Sequence, residues 1–431
     1  MTAVPVRLSR ADRDLLLHLI GLPTAGPMET GPDAEPPRLR EAQTAYAEAA
    51  AELGFEVVHH AAAGPEWLTR PDVPAQVRDM ARRVAGFLDD QPSMVLRLGG
   101  EQPPERTLMF NVHLDTVAGG EPPRLADDRF HGRGAVDAKG PAVALLAGLR
   151  AAAARVPGLG TDVGVLVQAV AGEEGGAMGV FGTRPLVEQG WTGRINVFCE
   201  PTRGLLVPRA TAAATARIAV AGTDSIDDHP EAGHNATVLL GFLAQHLARR
   251  LPGAVDGGRV CVAGLHTGTV HNKVYGTGAL LLNLAYRTAA AGRAQEEALE
   301  RELRAGTEEF AAAFAGLPDF ARTARDARRI TELTWVKRGL PALDSRDPWA
   351  ERLLTRAGLT YAPPDAPACT CDAIWTHALP NAHTVVYGPG DLDANGAHAA
   401  GEYVDTRDLE HYADGIASLV AGFASATNGS S

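Results

Sequence analysis

Short apolar runs alternate with helical patterns along most of this chain, and that alternation leaves few folds open. Residues 93–98, 107–113, 163–169 and 195–199 are apolar segments bounded by Gly, Pro or charge, with helical spacing over 139–155 and 179–189 between the later ones. Strands alternating with helices predict an α/β fold: a mixed, mostly parallel sheet sandwiched by helices. Helices over 9–20 and 39–53, the second stopping before Gly54, and a strand at FEVVHH lead into this pattern; a TVVYG strand and a helix near 407–424 close it.

Near Pro208 the texture changes. TARIAVAG, an apolar helix near 235–250, RVCVAGL, ALLLNLAYR and a long Ala/Glu/Arg helix near 294–316 form a β-α-β-β-α set that interrupts the first pattern. RRITELTW and a helix near 346–357 then resume it. A chain of 431 residues is too long for one ordinary core. The expected division is one domain built from residues 1–206 and 327–431, with 207–326 inserted as a smaller α+β domain.

Charge and composition narrow the function. With 40 Lys+Arg against 52 Asp+Glu the formal charge is −12, which opposes docking on nucleic acid or anionic membranes. The opening MTAVPVRLSRADRDLLLHLIGL threads arginines and aspartates through its apolar residues, unlike a signal peptide, and no run approaches a membrane span. A cytoplasmic location is expected. Cys199, Cys261, Cys369 and Cys371 do not suggest a disulfide framework, and the lone C-x-C lacks the second half of a zinc knuckle.

Acids and histidines stand just beyond the strands. His113 and Asp115 end TLMFNV, Asp137 lies in GRGAVDAKG before a helix, Glu173 and Glu174 follow VGVLVQAVAG, Glu200 follows INVFC, and His398 follows TVVYGPG after a loop. Open α/β folds place their sites at the carboxyl ends of strands. Each residue alone has an ordinary reading as a helix cap, a solvated acid or a surface histidine; the joint placement does not. Imidazole and carboxylate bind zinc and related divalent ions. Two neighbouring cations need an anion between them, and Asp137 is the natural bridge. His113 and Glu200 can complete one metal, Glu174 and His398 the other. Asp115 can accept the second N–H of His113 and set its tautomer. Glu173, not needed as a ligand, is placed to take a proton from water and deliver it to a leaving amine.

The segments NVHLDTV, GRGAVDAKGPAVALLAGL, AGEEGG, EPT at 200–202, PEAGHNA at 230–236 and GPGDLDANGAHAAGEYV at 388–404 resemble, in order, those of the zinc aminoacylase family. That family includes acetylornithine deacetylase, succinyl-diaminopimelate desuccinylase, carboxypeptidase G and the carrier-linked lysine hydrolases. The resemblance implies a catalytic domain holding two divalent ions, zinc first with cobalt or manganese as alternatives, and an inserted ferredoxin-like lid that commonly forms a homodimer. It implies the same ligand set, Glu173 as proton shuttle, and a cis peptide at Asp137–Ala138. It also implies lid contacts to substrate from Asn272 and, through its carboxylate-matching fork, Arg287.

One departure stands out. Where relatives carry a lid histidine that helps hold the oxyanion, this chain has Ser225 and Ile226; His229, or His234, is the nearest replacement. The expected activity is hydrolysis of the amide of an N-acyl amino acid or short peptide-like substrate. The alternatives are a biosynthetic member performing acyl transfer, amide formation or release from a carrier protein, and a non-catalytic binding protein on the same scaffold.

Overall fold

The structure, a computed structural model, describes residues 4–428. It divides into two compact units: of the described residues, one comprises 4–73, 77–210 and 343–428, the other 74–76 and 211–342.

The first unit is built on a six-stranded sheet in the order Phe55–Ala61, Ser93–Leu98, Gly164–Val170, Thr107–His113, Ile195–Phe198, His383–Val386. The last four strands run parallel, and the first two join antiparallel. Thr107–His113 and Gly164–Val170 are buried along their whole length, which is why they read as continuous apolar runs rather than alternating ones. Because the four parallel strands share a direction, their carboxyl ends lie along one edge. His113 ends one of those strands, and Glu173, Glu200 and His398 follow the others.

The helix Lys139–Arg155 is apolar on nearly every face, the mark of a buried helix. It packs on Thr107–His113, Arg10–Gly21 and Thr406–Asn428. Gly148 permits the last crossing, since a Cβ there would sit 2.7 Å from the Ala413 carbonyl oxygen and 2.8 Å from the Ile416 side chain.

The second unit is a four-stranded antiparallel sheet in the order Gly258–His266, Thr277–Tyr286, Ala212–Ala221, Thr331–Lys337, packed by the helices Ala236–Arg250 and Ala289–Phe314. Here the sequence-based boundary needs correction. Thr331–Lys337, placed with the first domain from residue 327 onward, pairs with Ala212–Ala221, and the first unit resumes only at Leu343. A strand's composition reports that it is a strand, not which sheet supplies its partner. Among the described residues no helix is long and apolar enough to cross a membrane.

His383 is a buried polar group whose two ring nitrogens both meet a partner. Its ring is fully buried, with Nδ1 3.1 Å from Ser345 Oγ and Nε2 3.0 Å from the Tyr361 hydroxyl. Burial pushes its pKa from 6.5 down to about 4. The unfolded chain therefore takes up this proton first as pH falls. The contribution to stability is complete above 6.5 and is lost progressively down to about 4. Between about pH 7.5 and about pH 5 the wild type should lose about 2 kcal/mol more stability in urea unfolding than His383→Asn does. Equal losses would contradict this account.

Candidate metal centre

Four loops and one strand end bring the acids and imidazoles together. His113 closes the strand Thr107–His113, and its Nδ1 donates to the Asp115 backbone oxygen at 2.9 Å. A carbonyl can only accept, so Nδ1 carries a proton and Nε2 is the nitrogen that faces the site. That Nε2 lies 3.0 Å from Asp137 Oδ1 and 3.6 Å from Glu200 Oε1. On the other side, His398 Nε2 lies 3.1 Å from Asp137 Oδ2 and 3.2 Å from Glu174 Oε1. Each Asp137 oxygen thus serves a different histidine, and each histidine meets a second carboxylate.

The tautomer of His113 was expected to rest on the Asp115 carboxylate. The structure assigns that task to the Asp115 carbonyl: Oδ1 stands 3.7 Å from Nδ1, while Oδ2 accepts from the Glu174 backbone N–H at 3.1 Å. The carboxylate therefore ties the Glu174 loop to the His113 strand.

Asp137 is held from behind. The Glu402 carboxylate accepts from the backbone N–H groups of Val136 (3.0 Å), Asp137 (3.3 Å) and Gly134 (3.1 Å), and from Arg133 Nη1 (2.6 Å). The Asp137–Ala138 peptide is cis. Next in sequence, Lys139 donates to the Leu22 carbonyl at 3.0 Å, and burial lowers its pKa to about 7.

The electrostatics are those of a site built around positive charge. Burial disfavours charge on Asp137, but hydrogen bonds from His113 and His398 outweigh it and hold the carboxyl below its ordinary range. Burial would strip His113 of its proton, yet Glu200 and Asp137 hold it well above the usual imidazole range. The bonds to Asp137 and Glu174 raise His398 to about 10. Burial raises Glu200, and lifts Glu174 to about 7. Glu173 is pushed well above its ordinary value, first by burial and then by Glu200.

Ligand atoms of His113, Asp137 and Glu200 lie within 4.8 Å of one another, as do those of Asp137, Glu174 and His398, and those of His113, Glu173 and Glu174. The donor set fits divalent cations. Two imidazole Nε2 atoms face carboxylate oxygens, and the acids Asp137, Glu173, Glu174 and Glu200 crowd one small volume, an arrangement that divalent cations would neutralise.

The other expected site residues belong to the second unit. Asn272 and Arg287 are exposed, the latter just past the strand Thr277–Tyr286. His229 is also exposed, its Nδ1 3.6 Å from Glu231. His234 is committed to the fold: its Nδ1 accepts from Thr223 N–H at 2.9 Å and its Nε2 lies 3.1 Å from Asp326. That removes it as a replacement for the missing lid histidine.

Sequence reasoning passed over two acids. Glu402 was visible as an acid four residues beyond His398. Asp372 is 1% exposed in the short helix Asp372–Thr376. Its only signal was an acid set in the apolar run Cys371–Trp375.

The profile of peptidase family M20/M25/M40 matches residues 109–422, a span containing all six converging side chains. A [LysW]-lysine/[LysW]-ornithine hydrolase of Aeropyrum pernix is 34% identical over 203 residues, covering 47% of this chain and 53% of that one. The match thus spans about half of that relative's length. A tripeptidase from Staphylococcus aureus superposes with TM-score 0.69 at 15% identity, over 98% of this chain and 100% of its own. A dinuclear metal-binding M20 peptidase from Bacillus subtilis does so with TM-score 0.55 at 12% identity, over 95% and 96%. At such identities these likenesses show the fold alone. The family profile, matching most of the sequence, shows that the chain belongs to peptidase family M20/M25/M40.

Proposed function

We propose that the protein is a two-metal hydrolase that cleaves the amide bond of an N-acyl amino acid or short peptide-like substrate. The observation that carries this reading is the division of the Asp137 carboxylate between two histidine–carboxylate pairs, His113 with Glu200 and His398 with Glu174. These five residues would hold the ions, with Asp137 shared. Bound there, divalent cations would polarise the scissile carbonyl and make water a stronger nucleophile.

Glu173 does the proton work. As water adds to the carbonyl carbon, its carboxylate takes the water's proton; as the C–N bond breaks, it returns that proton to the departing nitrogen. An acid and a free amine result. Burial suits it to the task, because a carboxyl with raised proton affinity is a better base and a competent donor near neutral pH. Zinc is the ion that the imidazole and carboxylate donors favour, with cobalt and manganese suited to the same set. The Aeropyrum relative, whose name carries lysine and ornithine, supports a substrate built on an amino acid.

Two variants test the assignment. Glu173→Gln keeps the shape of the side chain but cannot take the proton. Assayed on N-acyl amino acids and dipeptides, it should lose about 10²–10⁴-fold in kcat. Bound metal and KM should stay unchanged, and turnover at the wild-type rate would reject the role. Glu402→Gln leaves Arg133 and three loop N–H groups on a weaker, uncharged acceptor. Affinity for zinc, measured by competition with a chelating dye, should fall about 10–100-fold; an unaltered affinity would show that Glu402 does not set the position of Asp137.

A further inference from the structure

A chain of buried polar side chains runs beneath the Glu173 loop, and neither the metal ligands nor the proton carrier uses it. Gln168 donates to the Trp191 carbonyl at 2.8 Å and accepts from Asn111 Nδ2 at 2.8 Å. Asn111 Nδ2 also donates to Thr183 Oγ1 at 3.0 Å, and Thr183 Oγ1 donates to Asp372 Oδ2 at 2.6 Å. Asn111, Gln168, Thr183 and Asp372 are each at most 2% exposed. Buried polar chains of this kind are costly unless satisfied, and when satisfied they fix a single arrangement.

The chain links two parallel strands of the central sheet to the segment between Glu173 and Thr183. Asn111 lies two residues before His113. At the far end, the helix Asp372–Thr376 grips that segment at several points. Gly179 lies directly against the Asp372 carboxylate, where any Cβ would overlap it, and Gly179 is in the left-handed region at φ +59. The Gly179 N–H donates to the Gly172 carbonyl at 2.7 Å, immediately before Glu173. Trp375 Nε1 donates to the Met178 carbonyl at 2.6 Å, and the Arg184 guanidinium lies over the Trp375 ring, 4.3 Å from its centroid. Asp372 Oδ1 is buried without a hydrogen-bond partner. A carboxylate retained there, where a neutral acceptor would satisfy Thr183, is in a demanding position.

We infer that Asp372 is a positioning residue for Glu173: by accepting from Thr183 and seating Gly179, it fixes the loop that sets where the proton carrier stands. The inference rests on the reading of Glu173 as that carrier. Its consequence is selective. The metal ligands His113, Asp137, Glu200 and His398 are anchored elsewhere, and Glu174, though on the same loop, has its own tie through its backbone N–H to Asp115 Oδ2, so loosening this clamp should slow turnover without emptying the centre.

The test compares Asp372→Ala, Asp372→Asn and Thr183→Val in the full chain, with kcat, KM and bound zinc measured for each. Asp372→Ala and Thr183→Val should each lower kcat about 100-fold, the scale on which small misplacements of a catalytic group act. KM and zinc content should stay near wild type. Asp372→Asn, which keeps an acceptor for Thr183, should recover most of the lost kcat. Wild-type kcat in Asp372→Ala or Thr183→Val would overturn the inference, as would zinc lost in step with activity, or Asp372→Asn as impaired as the alanine variant. Should Asp372→Ala not fold, Thr183→Val and Asp372→Asn still decide the question. An active Glu173→Gln enzyme would remove the proton-carrier reading itself; an inert one beside a fully active Thr183→Val enzyme would remove only the clamp.

Discussion

The structure turns on one electrostatic constraint: a buried carboxylate, Asp137, shared between His113 at 3.0 Å and His398 at 3.1 Å. Packing Asp137, Glu173, Glu174 and Glu200 into one small volume is strongly unfavourable unless positive charge is supplied. Much of the surrounding fold serves to tolerate or direct that charge. Parallel strands deliver the residues to one edge. The Glu402 carboxylate gathers three backbone N–H groups and Arg133 to hold the Asp137 loop. Asp115 divides its backbone oxygen and carboxylate between His113 and Glu174.

The supporting packing is equally specific. The helix that follows Asp137 is buried almost all round and crosses the C-terminal helix closely enough to require glycine at 148. Its first residue, Lys139, spends its amino group on the Leu22 carbonyl. The loop carrying Glu173 and Glu174 is tied to the sheet through Asn111 and Thr183 and to the Asp372–Thr376 helix through Asp372 and Trp375. The acids can therefore be close without the backbone splaying apart.

What could be read from the sequence followed from periodicity and placement. Continuous apolar runs marked the buried strands, and the acids beyond them marked the edge where the candidate metal centre lies, so the converging residues His113, Asp137, Glu173, Glu174, Glu200 and His398 were identifiable before any coordinates. Partnership was harder to read. Nothing in TELTWVK distinguishes a strand that joins Ala212–Ala221 from one that rejoins the first sheet, so the end of the inserted unit was placed too early. The spacing of His113 and Asp115 suggested a carboxylate partner but could not tell it from the carbonyl two residues on. His234 looked available to substrate because its bonds to Thr223 and Asp326 depend on contacts distant in sequence. Asp372 lay hidden because its partner, Thr183, is 189 residues away.

The most direct measurement is anomalous scattering at the zinc edge from crystals of the metal-loaded protein. The account predicts two peaks flanking the Asp137 carboxylate, one reached by His113 and Glu200 and the other by Glu174 and His398. Peaks remote from Asp137, or zinc bound with none of these side chains around it, would contradict it.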